Sequence, residues 1–247
     1  MELFPDIIRD LRNFLDAGNA RGVLRTYGSD VDDPWPEGRK NNIILGADTG
    51  VELGNPHDES ASFMVWSGLP GIINDGLLHI MGPDIPEVQT GTVPFGKVVL
   101  LEVKGMTGEN CYARHRRLDG VRYDISLKGY MMRAVSQYMR EWSRVSREAV
   151  EKGFSLRVLG SALMSHYRAI DFVSGVEIIF ITSSTADVRS AGIIGERAMR
   201  LINAMNRMTE EMSFDCGSCE YVDVCSEVQG LRNIRNVLRE HAADRKA

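Results

Sequence analysis

Val176-Glu-Ile-Ile-Phe-Ile-Thr182, followed by Ser184 and, three residues on, by Asp187, decides the fold class of this chain. The run is almost continuously apolar, the pattern of a strand covered on both faces. Ser184 and Asp187 resemble a capping box, the start signal of a helix. That helix continues through Val188, Ala191, Ala198, Leu201, Met205 and Met208. Upstream, Leu156, Leu159, Leu163, His166 and Ile170 recur at helical spacing and predict a helix before the strand. Strands alternating with helices in this half give an α/β, or mixed α+β, class.

Working outward, Lys97–Val103 (KVVLLEV) reads as a second buried strand, and Ala61–Trp66, Leu77–Met81 and Asn42–Gly46 as shorter ones. Leu127, Met131, Ala134, Val135 and Tyr138 predict a further helix. Gly105–Asp119 reads as a polar, basic stretch holding Cys111, Arg114, His115, Arg116 and Arg117. At the N-terminus Phe4, Ile7, Ile8, Leu11, Phe14 and Leu15 mark an amphipathic helix with Pro5 in its first turn, expected to pack onto the body. Gly28–Lys40, rich in Asp, Pro and Gly, reads as a loop, and Leu231, Ile234 and Leu238 as a last helix. The expected organisation is an N-terminal helix and linker over residues 1–40, an α/β domain over 41–212, and a cysteine motif with a C-terminal helix over 213–247.

The 247 residues suffice for a core that needs no staples, and 43% hydrophobic with 26% charged residues is the balance of a soluble globular protein. A net charge of −5 argues against broad nucleic-acid binding, which needs an excess of Lys and Arg. Met1–Asp16 interrupts its apolar residues with charges, unlike a signal peptide, and no apolar run approaches a membrane span. A cytoplasmic location follows as the expectation, with the four cysteines as ligands or reactive thiols rather than disulfides. Gly46-Ala-Asp-Thr-Gly50 is no phosphate loop, because no Gly-Lys-Ser/Thr follows it. His166, on an apolar stripe, is expected to be a hydrogen-bonded core residue.

Three of the cysteines fall in Phe214-Asp-Cys-Gly-Ser-Cys-Glu-Tyr-Val-Asp-Val-Cys225, spaced C-x2-C-x5-C. Two thiols three residues apart on a Gly-containing turn can bind one metal, and the third returns to it after a short loop. Thiolates are soft ligands suited to iron–sulfur clusters and zinc. The lack of a histidine beside the motif favours an iron–sulfur cluster, expected to be of the four-iron type, at Cys216, Cys219 and Cys225; a zinc staple and unligated thiols are the alternatives. A fourth ligand would be Cys111, with His115 as a second candidate and an open site as a third option.

The order of several short motifs carries a family resemblance. Val51-Glu-Leu-Gly-Asn-Pro56 precedes Asp75-Gly76 and His79-Ile-Met-Gly-Pro-Asp84; Trp142-Ser-Arg-Val-Ser-Arg-Glu-Ala149 and Glu151-Lys-Gly-Phe-Ser-Leu-Arg157 follow, then the VEIIFIT strand and the cysteines. Over residues 41–228 the chain resembles the acetyl-CoA synthase (β) subunit of the carbon monoxide dehydrogenase/acetyl-CoA synthase complex, in particular its middle domain. The resemblance implies one-carbon and acetyl-CoA metabolism in an anaerobe, with carbon monoxide dehydrogenase or a corrinoid protein as partner. It implies that Cys216, Cys219 and Cys225 correspond to cluster ligands. The family's fourth cysteine, near Arg235 by spacing, and its downstream Cys-Gly-Cys for a second nickel have no counterpart here, so nickel is not expected. It also implies coenzyme A binding at Trp142 with Arg140, Arg144 and Arg147, an indole to stack on adenine and guanidinium groups for phosphates. A half-buried tryptophan beside solvated arginines is the plain alternative. Two functional classes remain open besides the cluster carrier: an enzyme performing acyl or methyl transfer at an open cluster site, and a zinc-stapled structural or assembly module.

Overall fold

The computed structural model describes residues 2–28, 34–39, 42–55, 60–135, 140–210 and 220–244. It is a mixed α+β protein with two mixed sheets. The first sheet has the order β1-β4-β9-β6-β3: β1 is Leu24–Tyr27, β3 Ser60–Ser67, β4 Leu78–Met81, β6 Phe95–Val103 and β9 Val173–Ile181. The two longest apolar runs, β6 and β9, lie side by side and antiparallel, pairing Val99 with Ile178, while β3 is parallel to β6 and β4 parallel to β9. Nearly every residue of β6 and β9 is buried because helices and a second sheet cover both faces. On the face of Phe63 and His79 lie α1 (Pro5–Ala20) and α6 (Thr185–Glu210). On the face of Leu78 and Lys97 lie α5 (Leu156–Arg168) and the second sheet.

The second sheet has the order β5-β2-β8-β7, with β2 at Thr49–Leu53, β5 at Gly91–Val93, β7 at Tyr130–Val135 and β8 at Arg140–Ser146. Two expectations are corrected here, and a stretch without an assignment acquires one. The described part of Leu127–Tyr138 does not form a helix: it contains β7, paired antiparallel with β8 from Tyr130–Val145 onward. Asn42–Gly46 forms no strand; a 3-10 turn begins at Gly46, and Ile43 and Leu45 are exposed on either side of buried Ile44. The polar stretch from Gly105 is helical from Cys111 onward, as α3 (Cys111–Asp124).

The short motifs prove to be joints of the fold. Gly82 has φ of 109°, and a Cβ there would lie 2.3 Å from the backbone nitrogen of Ser183, so only glycine lets β4 end against the start of α6. Asp84 accepts from the backbone of Ile85 at 2.6 Å and of Leu156 at 2.7 Å, capping α2 (Ile85–Val88) while fastening the entry of α5; burial raises its pKa. Asp75 accepts from Val176 N and from Arg168, both at 3.0 Å, and so ties the central strand and the end of α5 to the turn before β4. Ser155 caps α5, and Ser184 accepts from Asp187 N at 3.1 Å at the start of α6, as its position predicts. His166 is exposed rather than in the core, its Nδ1 against Ala162 O at 2.9 Å; Tyr167 takes the buried position. The last helices, α7 (Val222–Glu227) and α8 (Gln229–Asp244), pack on α6 and on each other.

Candidate ligand platform and metal-binding cysteines

Along β8 burial alternates strictly. Glu141, Ser143 and Val145 point inward, while Arg140, Trp142 and Arg144 face outward. The inward residues are mostly polar and are satisfied. Ser143 Oγ and the Tyr130 hydroxyl lie 2.9 Å apart. Glu141 accepts from the Lys97 ammonium and, at 2.9 Å, from Ser62 Oγ. Burial, with the Glu141 charge adding to it, pushes the Tyr130 phenol well above its usual range.

The outward face carries the residues singled out in the sequence. The Arg144 guanidinium lies over the Trp142 ring at 5.0 Å from its centroid, and it is pinned by Glu52 at 3.0 Å and Ile44 O at 3.2 Å. Directly opposite Trp142, across the strand pair, stands exposed Arg133. Sequence reading missed it because its segment was taken for a helix. Its signal is visible only in the strand register, where cross-strand partners share a face. Arg147 stands apart as the first residue of α4 (Arg147–Glu151): its Nε donates to Thr49 O at 3.3 Å, and it lines a cleft of about 630 Å³ with Gln89 and Thr90. The structure therefore groups Arg140, Trp142 and Arg144, adds Arg133, and places Arg147 beyond the end of the strand. A flat indole framed by guanidinium groups can stack an aromatic base and hold phosphate oxygens.

Of the cysteines, Cys216 and Cys219 lie outside the described residues. Cys225 is buried on α7. Cys111 opens α3 fully buried, donating from Sγ to Gly108 O at 3.4 Å; burial pushes its thiol up to about 11 against the pull of nearby backbone N–H groups. A Cβ on Gly108 would lie 3.3 Å from Ile234 Cα, so the turn before Cys111 abuts α8, the helix on which α7 packs. His115 lies one turn beyond Cys111 on the same face of α3 and is also buried; burial lowers its pKa to about 4, so it is neutral at physiological pH. The neighbouring arginines tie the helix to the segments beside it. Arg114 bonds Lys104 O and Gly105 O and covers Phe172, and Arg117 pairs with Asp171 at 2.7 Å. No described helix is long and apolar enough to cross a membrane.

Comparison with known proteins places these features in context. A family model described as the CO dehydrogenase/acetyl-CoA synthase complex beta subunit matches residues 37–187. The matched span holds Cys111, β7 and β8 with Trp142 and its arginines, and it stops short of Cys216. The acetyl-CoA decarbonylase/synthase complex subunit beta of Methanothermobacter thermautotrophicus is 29% identical over 155 residues, which are 62% of this chain and 32% of that protein. The aligned stretch thus spans about a third of the relative's own length.

Proposed function

Because the chain belongs to the family of CO dehydrogenase/acetyl-CoA synthase complex beta subunits, we propose that it is a cytoplasmic protein of acetyl-CoA and one-carbon metabolism that holds coenzyme A and an iron–sulfur cluster. The observation that carries this reading is the outward face of β8 and β7, which lies within the matched span. Trp142 offers its ring to the adenine, and Arg133, Arg140 and Arg144 frame it for the phosphates. Arg144 is already oriented by Glu52 and Ile44, so little conformational freedom is lost when a phosphate arrives. Calorimetric titration with coenzyme A should give one site. Trp142→Ala should weaken binding at least tenfold, about 1.4 kcal/mol. Undiminished affinity in that variant would remove the platform from the reading.

Cys216, Cys219 and Cys225 are the proposed cluster ligands, with Cys111 as the fourth. The donor set fits, since thiolates suit iron–sulfur clusters and Cys225 is held on a helix. Cys111 fits if binding expels its proton, because as a buried thiol with raised pKa it is protonated without metal. A bound cluster would supply electron transfer or, at an open iron, a site for acyl or methyl transfer. The chain's own part is to supply the thiols, exclude water around them and present coenzyme A. Partners would be carbon monoxide dehydrogenase or corrinoid subunits of such a complex. Anaerobic purification should yield roughly four iron and four sulfide per chain, lost in Cys225→Ala and lost or altered in Cys111→Ala. A cluster unchanged in Cys111→Ala would move the fourth ligand to His115 or to an open site and favour the enzyme reading. Zinc without sulfide would sink the iron–sulfur assignment.

A further inference from the structure

Among the described residues, three buried side-chain atoms that lack a hydrogen-bond partner belong to the walls of one cavity: His115 Nδ1, Arg122 Nε and Asn206 Oδ1. Buried polar groups are almost always paired, so such a concentration calls for a missing partner. The cavity, about 400 Å³, lies between α3 and α6 above β3. His115 is only 7% exposed. Arg122 gives one terminal nitrogen to both oxygens of Asp119, at 2.5 and 2.6 Å, which leaves its Nε to the wall. Arg116 and Arg122, the latter paired with Asp119, bring two guanidinium groups to the lining. Met64, Met199 and Ile202 supply an apolar strip, and Asn203 at the rim bonds the Tyr221 phenol next to the cysteine segment.

We propose that this cavity binds a small monoanionic carboxylate that also carries a hydrogen-bond donor, as a short hydroxy acid does. The match is by chemistry. Arg122 Nε–H requires an acceptor, and a carboxylate is an acceptor that a guanidinium bonds strongly. Asn206 Oδ1 requires a donor, which the hydroxyl provides. His115 Nδ1 takes either role according to its tautomer. The apolar strip accommodates a few carbon atoms, and the volume lies at the small end of ligand sites. This site is independent of the coenzyme A platform, which lies on the far side of the sheet that carries Glu141.

Titration of the full chain with lactate, propionate and inorganic phosphate at matched ionic strength tests the proposal, read in long-range proton–nitrogen spectra of the histidine rings. Lactate should bind saturably and move the His115 signals, and propionate should bind at least tenfold more weakly. Arg122→Met should weaken lactate at least tenfold, and Asn206→Leu, on a half-buried position, does so if Arg122→Met does not fold. Phosphate binding as tightly as lactate would reduce the site to diffuse positive charge and overturn the proposal. So would propionate binding equal to lactate, unchanged affinity in both variants, or His115 signals that no probe moves, which would leave only water in the cavity.

Discussion

Replacing Lys97 with alanine is expected to destabilise the protein by roughly 3–5 kcal/mol, measured by urea unfolding at neutral pH. Lys97 and Glu141 are both buried, Glu141 with no exposure at all, and the ammonium is the charged partner of that carboxylate. Without it Glu141 keeps, among the described residues, the bond from Ser62 Oγ at 2.9 Å and a charge in a medium that solvates it poorly. The pair also joins the two sheets. Lys97 sits on β6 and Ser62 on β3, whereas Glu141 sits on β8 between Arg140 and Trp142. Lys97→Ala should therefore loosen the strand that presents Trp142, and on the proposed reading coenzyme A affinity would fall with stability. The double variant Lys97→Met, Glu141→Leu should be within about 1 kcal/mol of wild type, since a packed apolar pair of similar volume commonly replaces a buried ion pair without loss. A double variant as unstable as the single one would mean that shape, and not stranded charge, governs this contact.

The same residues show why part of the fold was legible in the sequence and part was not. VEIIFIT and KVVLLEV were readable because their burial is made by apolar side chains on both faces, and a central strand with that composition has few alternatives. β8 was not readable as a strand, because its inward positions are Glu141 and Ser143 as well as Val145. Polar residues satisfied by Lys97, Ser62 and Tyr130 from other segments hide the alternation that a count of apolar residues detects. α3 was hidden in the same way: its buried stripe is Cys111, His115, Leu118 and Val121, at helical spacing but half of it made of residues that look like ligands. Leu127, Met131, Ala134 and Tyr138 matched a helical template, and pairing with β8 overrode it. The candidate platform was half legible. Trp142, Arg140 and Arg144 could be named from the family resemblance, whereas Arg133 enters only through register, and Arg147 drops away because β8 ends at Ser146.

Glu177, inside the strand that decides the fold class, should give the second large effect. Its carboxylate is fully buried and receives the Arg12 guanidinium on both oxygens, Asn74 N at 2.8 Å and His79 Nε2 at 3.0 Å. Thr26 Oγ1, 2.9 Å from His79 Nδ1, completes the chain, and donation from Thr26 fixes the tautomer that bonds Glu177. Burial by itself would raise the carboxyl pKa. The hydrogen bonds from His79 and Arg12 and the Arg12 charge outweigh burial and hold it down at about 2, from 4.5. Between those two values the unfolded chain binds the proton more tightly than the folded one, so folding stability rises with pH across that window. The stabilisation is complete above about pH 4.5 and is lost as pH falls towards 2, on the order of 3 kcal/mol in all. Glu177→Gln keeps the shape, removes the charge and leaves Arg12 without its carboxylate. It should lower stability at pH 7 by a similar amount and flatten the acid limb, so that the curves of variant and wild type converge only as pH falls to about 2. Curves that stay parallel from neutral pH to acid would show that the network stabilises through hydrogen bonds alone and that the Glu177 charge contributes nothing.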